Sequence, residues 1–128
     1  MTFIEEIKQS HADIYNGVSD QEISDTEQKL GMTFPKTYRE ILSAFGSVDI
    51  GSDEIFGLGV EGYSNVVETT LKERDLAKGV LDSFIVIQDL GIDGILIVVD
   101  KNDNVYEYKN GDFKNLLSST AEYILSLI

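Results

Sequence analysis

A chain of 128 residues is the length of one domain and buries roughly two thirds of its unfolded surface, so residues 1–128 are expected to fold as a single unit without a covalent staple. The absence of cysteine excludes disulfides, thiolate catalysis and cysteine metal sites, and it fits a reducing compartment. With 23 acidic against 10 basic residues the formal net charge is -13, which repels nucleic acid and anionic lipid and attracts basic partners.

The N-terminal stretch MTFIEEIKQSHADIY is amphipathic and acidic, unlike a secretory leader, and the expected location is the cytoplasm. No run approaches the roughly 20 apolar residues of a membrane span. Phe3, Ile4, Ile7, His11, Ile14 and Tyr15 fall on one side of a helix predicted over residues 2–15,. Ser24 and Glu27 spell a capping box for a second helix, which Gly31 stops,. Pro35, the only proline, suits the first position of a third helix, where its missing N–H costs nothing. Tyr38, Ile41, Leu42 and Phe45 line that helix on one face, and Gly46 closes it,.

A polar, glycine-dotted segment follows, with one short strand expected at 54–58. Asn65 and Glu68 then start a fourth helix that turns Val66, Val67, Thr70 and Leu71 inward,. Beyond Gly79 the period changes. FIVIQDL at 84–90, ILIVVD at 95–100 and VYEYK at 105–109 are β-branched or aromatic runs joined by short turns, which implies antiparallel neighbours, and Asn110-Gly111 is one more turn,. Ser119 and Glu122 cap a last helix carrying Ala121, Ile124, Leu125 and Ile128,. The predicted fold is α+β: a small antiparallel β-meander flanked by N-terminal helices and a C-terminal helix.

Three motifs point to small-molecule chemistry, and each fails on context. GLGVEG at 57–62 matches G-x-G-x-x-G, but its helix should begin within the glycines, whereas the expected cap is Asn65, and Glu61 would face phosphate with a negative charge,. DKNDN at 100–104 begins like an EF-hand loop, yet the sixth and twelfth positions are Val105 and Gly111 where the motif needs Gly and Glu,. His11 is the only histidine, placed on the inner edge of the first helix with neither a cysteine nor a G-x-S-x-G elbow to serve. Tyr63, Tyr106 and Tyr108 are not interleaved with basic residues, which removes single-strand nucleic acid binding,. No catalytic, cofactor or metal site is expected, and the chain is not read as an enzyme.

Ile23, Glu27, Leu30-Gly31, Phe34-Pro35, Tyr38, Leu42, Gly46 and Ile55-Phe56-Gly57 resemble the pattern of the SUKH superfamily of small acidic immunity proteins, and the order of elements extends the likeness over nearly the whole chain. It is most similar to the YobK-type bacterial members. The resemblance implies a bacterial cytoplasmic antidote that binds the C-terminal toxic domain of a secreted polymorphic toxin, often a nuclease, and blocks it stoichiometrically. Fungal relatives act as regulatory scaffolds, which is the alternative. The matching residues Glu27, Gly31, Pro35, Tyr38 and Gly46 look structural, so contacts must come from chemistry.

The charge distribution supplies candidates. No Lys or Arg occurs from Glu40 to Leu71 or from Gly79 to Asp100, and ten acids lie in those two stretches. A nuclease gathers Lys and Arg to hold phosphates, and an acidic protein can meet the same groups without being a substrate. Asp49, Asp53, Glu54, Glu61, Asp89 and Asp93 are the candidate contacts with a basic toxin domain, with Phe56 or Tyr63 as apolar anchors,.

Overall fold

The computed structural model describes residues 1–128. Five helices and seven strands follow in the order α1 (Phe3–Gln9), β1 (Asp13–Ile14), α2 (Asp20–Leu30), α3 (Lys36–Phe45), β2 (Val48–Ile50), β3 (Asp53–Ile55), a 3-10 turn (Gly62–Ser64), α4 (Val66–Leu76), β4 (Ile85–Asp89), β5 (Leu96–Val99), β6 (Val105–Lys109), β7 (Asp112–Leu117) and α5 (Thr120–Ser126). The α+β class and the meander are as expected. Antiparallel pairing gives a three-stranded sheet, β1-β2-β3, and a four-stranded one, β4-β5-β6-β7. Just past β3 the Phe56 N–H donates to the Ile87 carbonyl at 2.8 Å, at the point where β4 bulges against β5. The two sheets therefore abut along β3 and β4.

One apolar cluster of 26 buried residues joins the helices to both sheets. α3 supplies Tyr38, Ile41, Leu42 and Phe45, all buried as their spacing requires, and the strands β4 and β5 are buried along nearly their whole length. Such burial contributes about 1.5–3 kcal/mol per large side chain relative to exposure. The Tyr38 hydroxyl, fully buried, donates to the Phe56 carbonyl at 2.6 Å. Arg74 on α4 donates to the Leu30 carbonyl at 2.6 Å and the Phe84 carbonyl at 3.0 Å, tying the end of α2 to the start of β4.

Asp103, in the β5–β6 turn, is the polar keystone. One carboxylate oxygen accepts from the N–H and hydroxyl of Thr37 at 3.2 and 2.5 Å, and the other from the N–H and hydroxyl of Thr120 at 3.2 and 2.7 Å. Thr37 and Thr120 stand in the first turns of α3 and α5, so one buried anion satisfies donors at two positive helix ends,. Asp103 is in a left-handed conformation at φ 72°, which aspartate tolerates better than most residues. The DKNDN segment is thus a hairpin turn with a structural anion.

Several local expectations are corrected. α1 ends at Gln9, because the Ser10 hydroxyl turns back to the Ile7 carbonyl; the chain then forms β1, and His11, Ile14 and Tyr15 are exposed. α2 is capped by Ser19, whose hydroxyl accepts from Glu22 N–H, not by Ser24. The earlier start frees Glu27, which instead accepts from Phe34 N–H at 2.7 Å and pairs with Arg39 at 3.6 Å. Pro35 occupies the N-cap of α3, one residue before the first helical position. The strand expected at 54–58 is half of a hairpin, β2–β3, turning at Gly51, and β7 continues the meander after Asn110-Gly111. Leu71 faces solvent.

Candidate functional site

The β2–β3 hairpin alternates. Val48, Ile50 and Ile55 enter the core, and period-two alternation turns Asp49 and Glu54 to the other face,; Asp53, half-buried, lies on the core-side face opposite Ile50. The register stands Asp13 opposite Asp49, and Asp49 opposite Glu54, so three carboxylates form one row across β1, β2 and β3. Like charges directly opposite on a sheet are destabilising. The ion pairs of the molecule both belong to Arg39, with Asp20 and Glu27, so no basic residue of the chain neutralises the row.

Hydroxyls hold the row instead. Tyr15 donates to Asp49 Oδ2 at 2.7 Å, and Glu54 accepts from Tyr63 at 3.2 Å and from Ser64 at 3.3 Å. The Tyr15 hydroxyl titrates above its ordinary range, first because of its hydrogen bond to Asp49 and the charge of Asp49, with smaller contributions from Asp13 and Glu54.

The GLGVEG segment builds the wall beside this row. A Cβ on Gly57 would lie 1.9 Å from the Gly46 carbonyl oxygen, so only glycine lets this backbone cross the end of α3, where Leu58 N–H donates to that same carbonyl at 2.9 Å,. α4 begins at Val66, beyond the last glycine, with Asn65 accepting from Val67 and Glu68 N–H as the expected cap. Its first turn in turn pins the 3-10 turn: Glu68 Oε2 accepts from Gly62 N–H at 3.0 Å, and the Thr69 hydroxyl donates to the Tyr63 carbonyl at 2.5 Å. Tyr63 therefore projects from a fixed backbone, 68% exposed.

Three adjoining hollows result. The largest, about 340 Å³, includes Phe56, Tyr63, Glu68, Lys72, Glu73 and Asp89 in its lining. The next, about 190 Å³, shares Phe56, Tyr63 and Asp89 with it and adds Glu54; the third, about 130 Å³, has Tyr15, Asp49, Glu54 and Glu61 in its wall. Asp49, Glu54, Phe56, Glu61, Tyr63 and Asp89 are thus brought together. Phe56 is only 3% exposed and forms a floor, its ring edge-on to that of the exposed Tyr63 at 6.3 Å.

The other two residues lie differently. Asp53 accepts from the Gln88 side chain at 2.8 Å, and Gln88 in turn accepts from the Tyr123 hydroxyl. Asp53 is therefore the outer end of a chain of hydrogen bonds reaching through the core to α5. Asp93 sits exposed in the β4–β5 turn at φ 54° and lines none of the three hollows. Asp13, Tyr15, Glu68 and Glu73 escaped the sequence reading as site residues. Asp13 and Tyr15 fell within the predicted first helix, and a two-residue strand leaves no alternation to find.

The chain as a whole matches a known class of protein. The family model SUKH_5, described as SMI1-KNR4 cell-wall, matches residues 1–128. The chain belongs to the SMI1-KNR4 family of the SUKH superfamily, which is known for immunity proteins and whose members are typically non-enzymatic and work through protein partners. No curated protein matches the chain. No helix is long and apolar enough to cross a membrane.

Proposed function

We propose that this protein is an immunity protein of one domain that binds and neutralises the C-terminal toxic domain of a cognate secreted toxin, a basic nuclease, in the bacterial cytoplasm. The observation that carries this reading is the row Asp13, Asp49, Glu54, which the sheet holds in mutual repulsion with no cation of its own. A basic partner relieves that repulsion on docking. Tyr63, exposed and rigidly based, supplies the aromatic anchor that interface hot spots favour, and the hollow of about 340 Å³ beside it accepts a Lys or Arg side chain between Tyr63 and Asp89,. The same groups that hold phosphate in a nuclease are thereby occupied.

Electrostatic docking also speeds encounter, to about 10⁸ M⁻¹s⁻¹ or faster at low salt, with a steep fall as ionic strength rises. The direct test is expression of the toxin domain encoded beside this gene with and without the chain. Rescue of growth, followed by a salt-dependent association rate that drops when Asp49 and Glu54 are changed to lysine, is the expected result. Survival without any effect of those changes would remove the docking face from this account. The words cell-wall in the family description favour a second reading, a non-enzymatic regulatory scaffold. It predicts a partner without toxic activity and no rescue.

A further inference from the structure

At the opposite end of the sheets from the acidic row, β7 presents a free edge with its own charge pattern. Asn110 and Gly111, at φ 49° and 88°, make a two-residue turn of the type that joins β6 to β7,. In such a hairpin the flanking residues Lys109 and Asp112 form a hydrogen-bonded pair, and alternation makes Glu107 and Lys114 the next one,. The N–H and C=O groups of Phe113 and Asn115 consequently point away from β6, to the outside. Residues 112–115 are all exposed, β7 is the last strand of its sheet, and no backbone hydrogen bond from another segment reaches Phe113 or Asn115. A register irregularity after Asn115 limits the regular edge to these four residues.

We infer that β7 pairs antiparallel with β7 of a second copy of this chain, about a two-fold axis through Phe113. The charges select this register. With Phe113 opposite Phe113 of the second copy, Asp112 faces Lys114 and Lys114 faces Asp112, giving the continuous row Lys109, Asp112, Lys114, Glu107 of alternating sign across both hairpins. The neighbouring allowed register, with Phe113 opposite Asn115, would set the two lysines against each other. None of the four charged residues is engaged in an ion pair within its own chain, so all are free for the match.

The hairpin is also the place where a chain of net charge -13 can meet itself. Residues 105–117 hold two acids and two lysines, whereas the β1-β2-β3 face repels its own kind. Phe113 stacks one face on Phe84 at 4.8 Å and remains 38% exposed, leaving apolar surface at the axis. The pairing leaves both acidic faces open at the outer ends of the doubled sheet.

The interface is small, and dissociation in the micromolar to millimolar range is expected. Sedimentation velocity across concentrations should show a monomer–dimer equilibrium, with the amides of Phe113 and Asn115 exchanging hydrogen more slowly as concentration rises. Lys114→Asp and Asp112→Lys should each weaken self-association by about tenfold or more, while circular dichroism reports an intact fold. An equimolar mixture of the two variants should associate at least as well as the native chain, because each Asp pair of one meets a Lys pair of the other. A native chain that stays monomeric to ~1 mM, above the range expected of so small an interface, would overturn the inference, as would variants that self-associate normally or a mixture that does not pair.

Discussion

Asp103, in a turn of the four-stranded sheet, and Asp49, on a strand of the three-stranded one, carry the same side chain and are treated in opposite ways. Asp103 is 7% exposed and takes four hydrogen bonds from the first turns of α3 and α5. Asp49 is half-buried, faces Asp13 on one side and Glu54 on the other, and takes one tyrosine hydroxyl. A buried carboxylate is tolerable only when its lone pairs are met. A repulsive surface row costs the fold some stability, and the docking proposed above would give that cost a use.

Breaking the first member of this comparison should cost most. Asp103→Ala leaves the Thr37 and Thr120 N–H groups without an acceptor at two helix starts, and a loss of about 3 kcal/mol or more in urea unfolding is expected. Asp103→Asn, which keeps the shape and one acceptor, should fall between the two. Partner affinity of the folded protein should hardly move, since Asp103 lines none of the three hollows.

The tyrosines extend the comparison to pH. Burial raises the Tyr38 hydroxyl well above its ordinary value, and burial does the same to Tyr123, with Asp53 and Glu107 adding to it. The folded state therefore retains a proton that the unfolded chain gives up near pH 10. Above that pH the unfolded state binds fewer protons than the native one, so stability is fully present below about pH 10 and declines as pH rises, by about 1 kcal/mol per pH unit for Tyr38 alone. Unfolding titrations from pH 8 to 11.5 measure the slope, and Tyr38→Phe should reduce it. At Tyr15 the cause is the acidic row itself, and Asp49→Asn should bring its ultraviolet titration back toward that of free tyrosine.

How much of this contrast was legible in the sequence follows from the range of each interaction. The spacing of Tyr38, Ile41, Leu42 and Phe45, the stop at Gly46, the Asn65 and Ser119 caps and the VYEYK strand are decided within a few residues, and all stand as read. Ser19 and Ser24 each precede a Glu by three, and local chemistry could not choose between them; the helix that buries Ile23, Thr26 and Leu30 starts at the earlier serine. Asp103 reaches partners 66 and 17 residues away, so nothing near it announces its role. The basic-free stretches hold Asp49, Glu54, Glu61 and Asp89, which the fold brings to adjoining hollows, yet Asp13 entered the row only through a tertiary pairing.

Softening the second member should produce effects of opposite sign on folding and on binding. Asp49→Asn with Glu54→Gln removes the cross-strand repulsion while keeping acceptors for Tyr15 and Tyr63, and a gain of about 0.5 kcal/mol in stability is expected. The association rate with a basic partner should fall about tenfold at low salt. A loss of stability in that variant would mean that the row, like Asp103, is structural.

The smallest effect should come from Asp93. It bears the same charge as Asp89 and lies four positions on, but it occupies a left-handed turn position outside the hollows. Asp93→Asn keeps the turn, since asparagine tolerates positive φ, so stability should stay within about 0.5 kcal/mol. If recognition is local to the tyrosine-fronted hollows, the association rate should change less than about twofold while Asp89→Asn lowers it severalfold. Equal effects at both positions would instead assign steering to the summed field of the whole acidic chain, and would leave the row across β1, β2 and β3 as only its densest part.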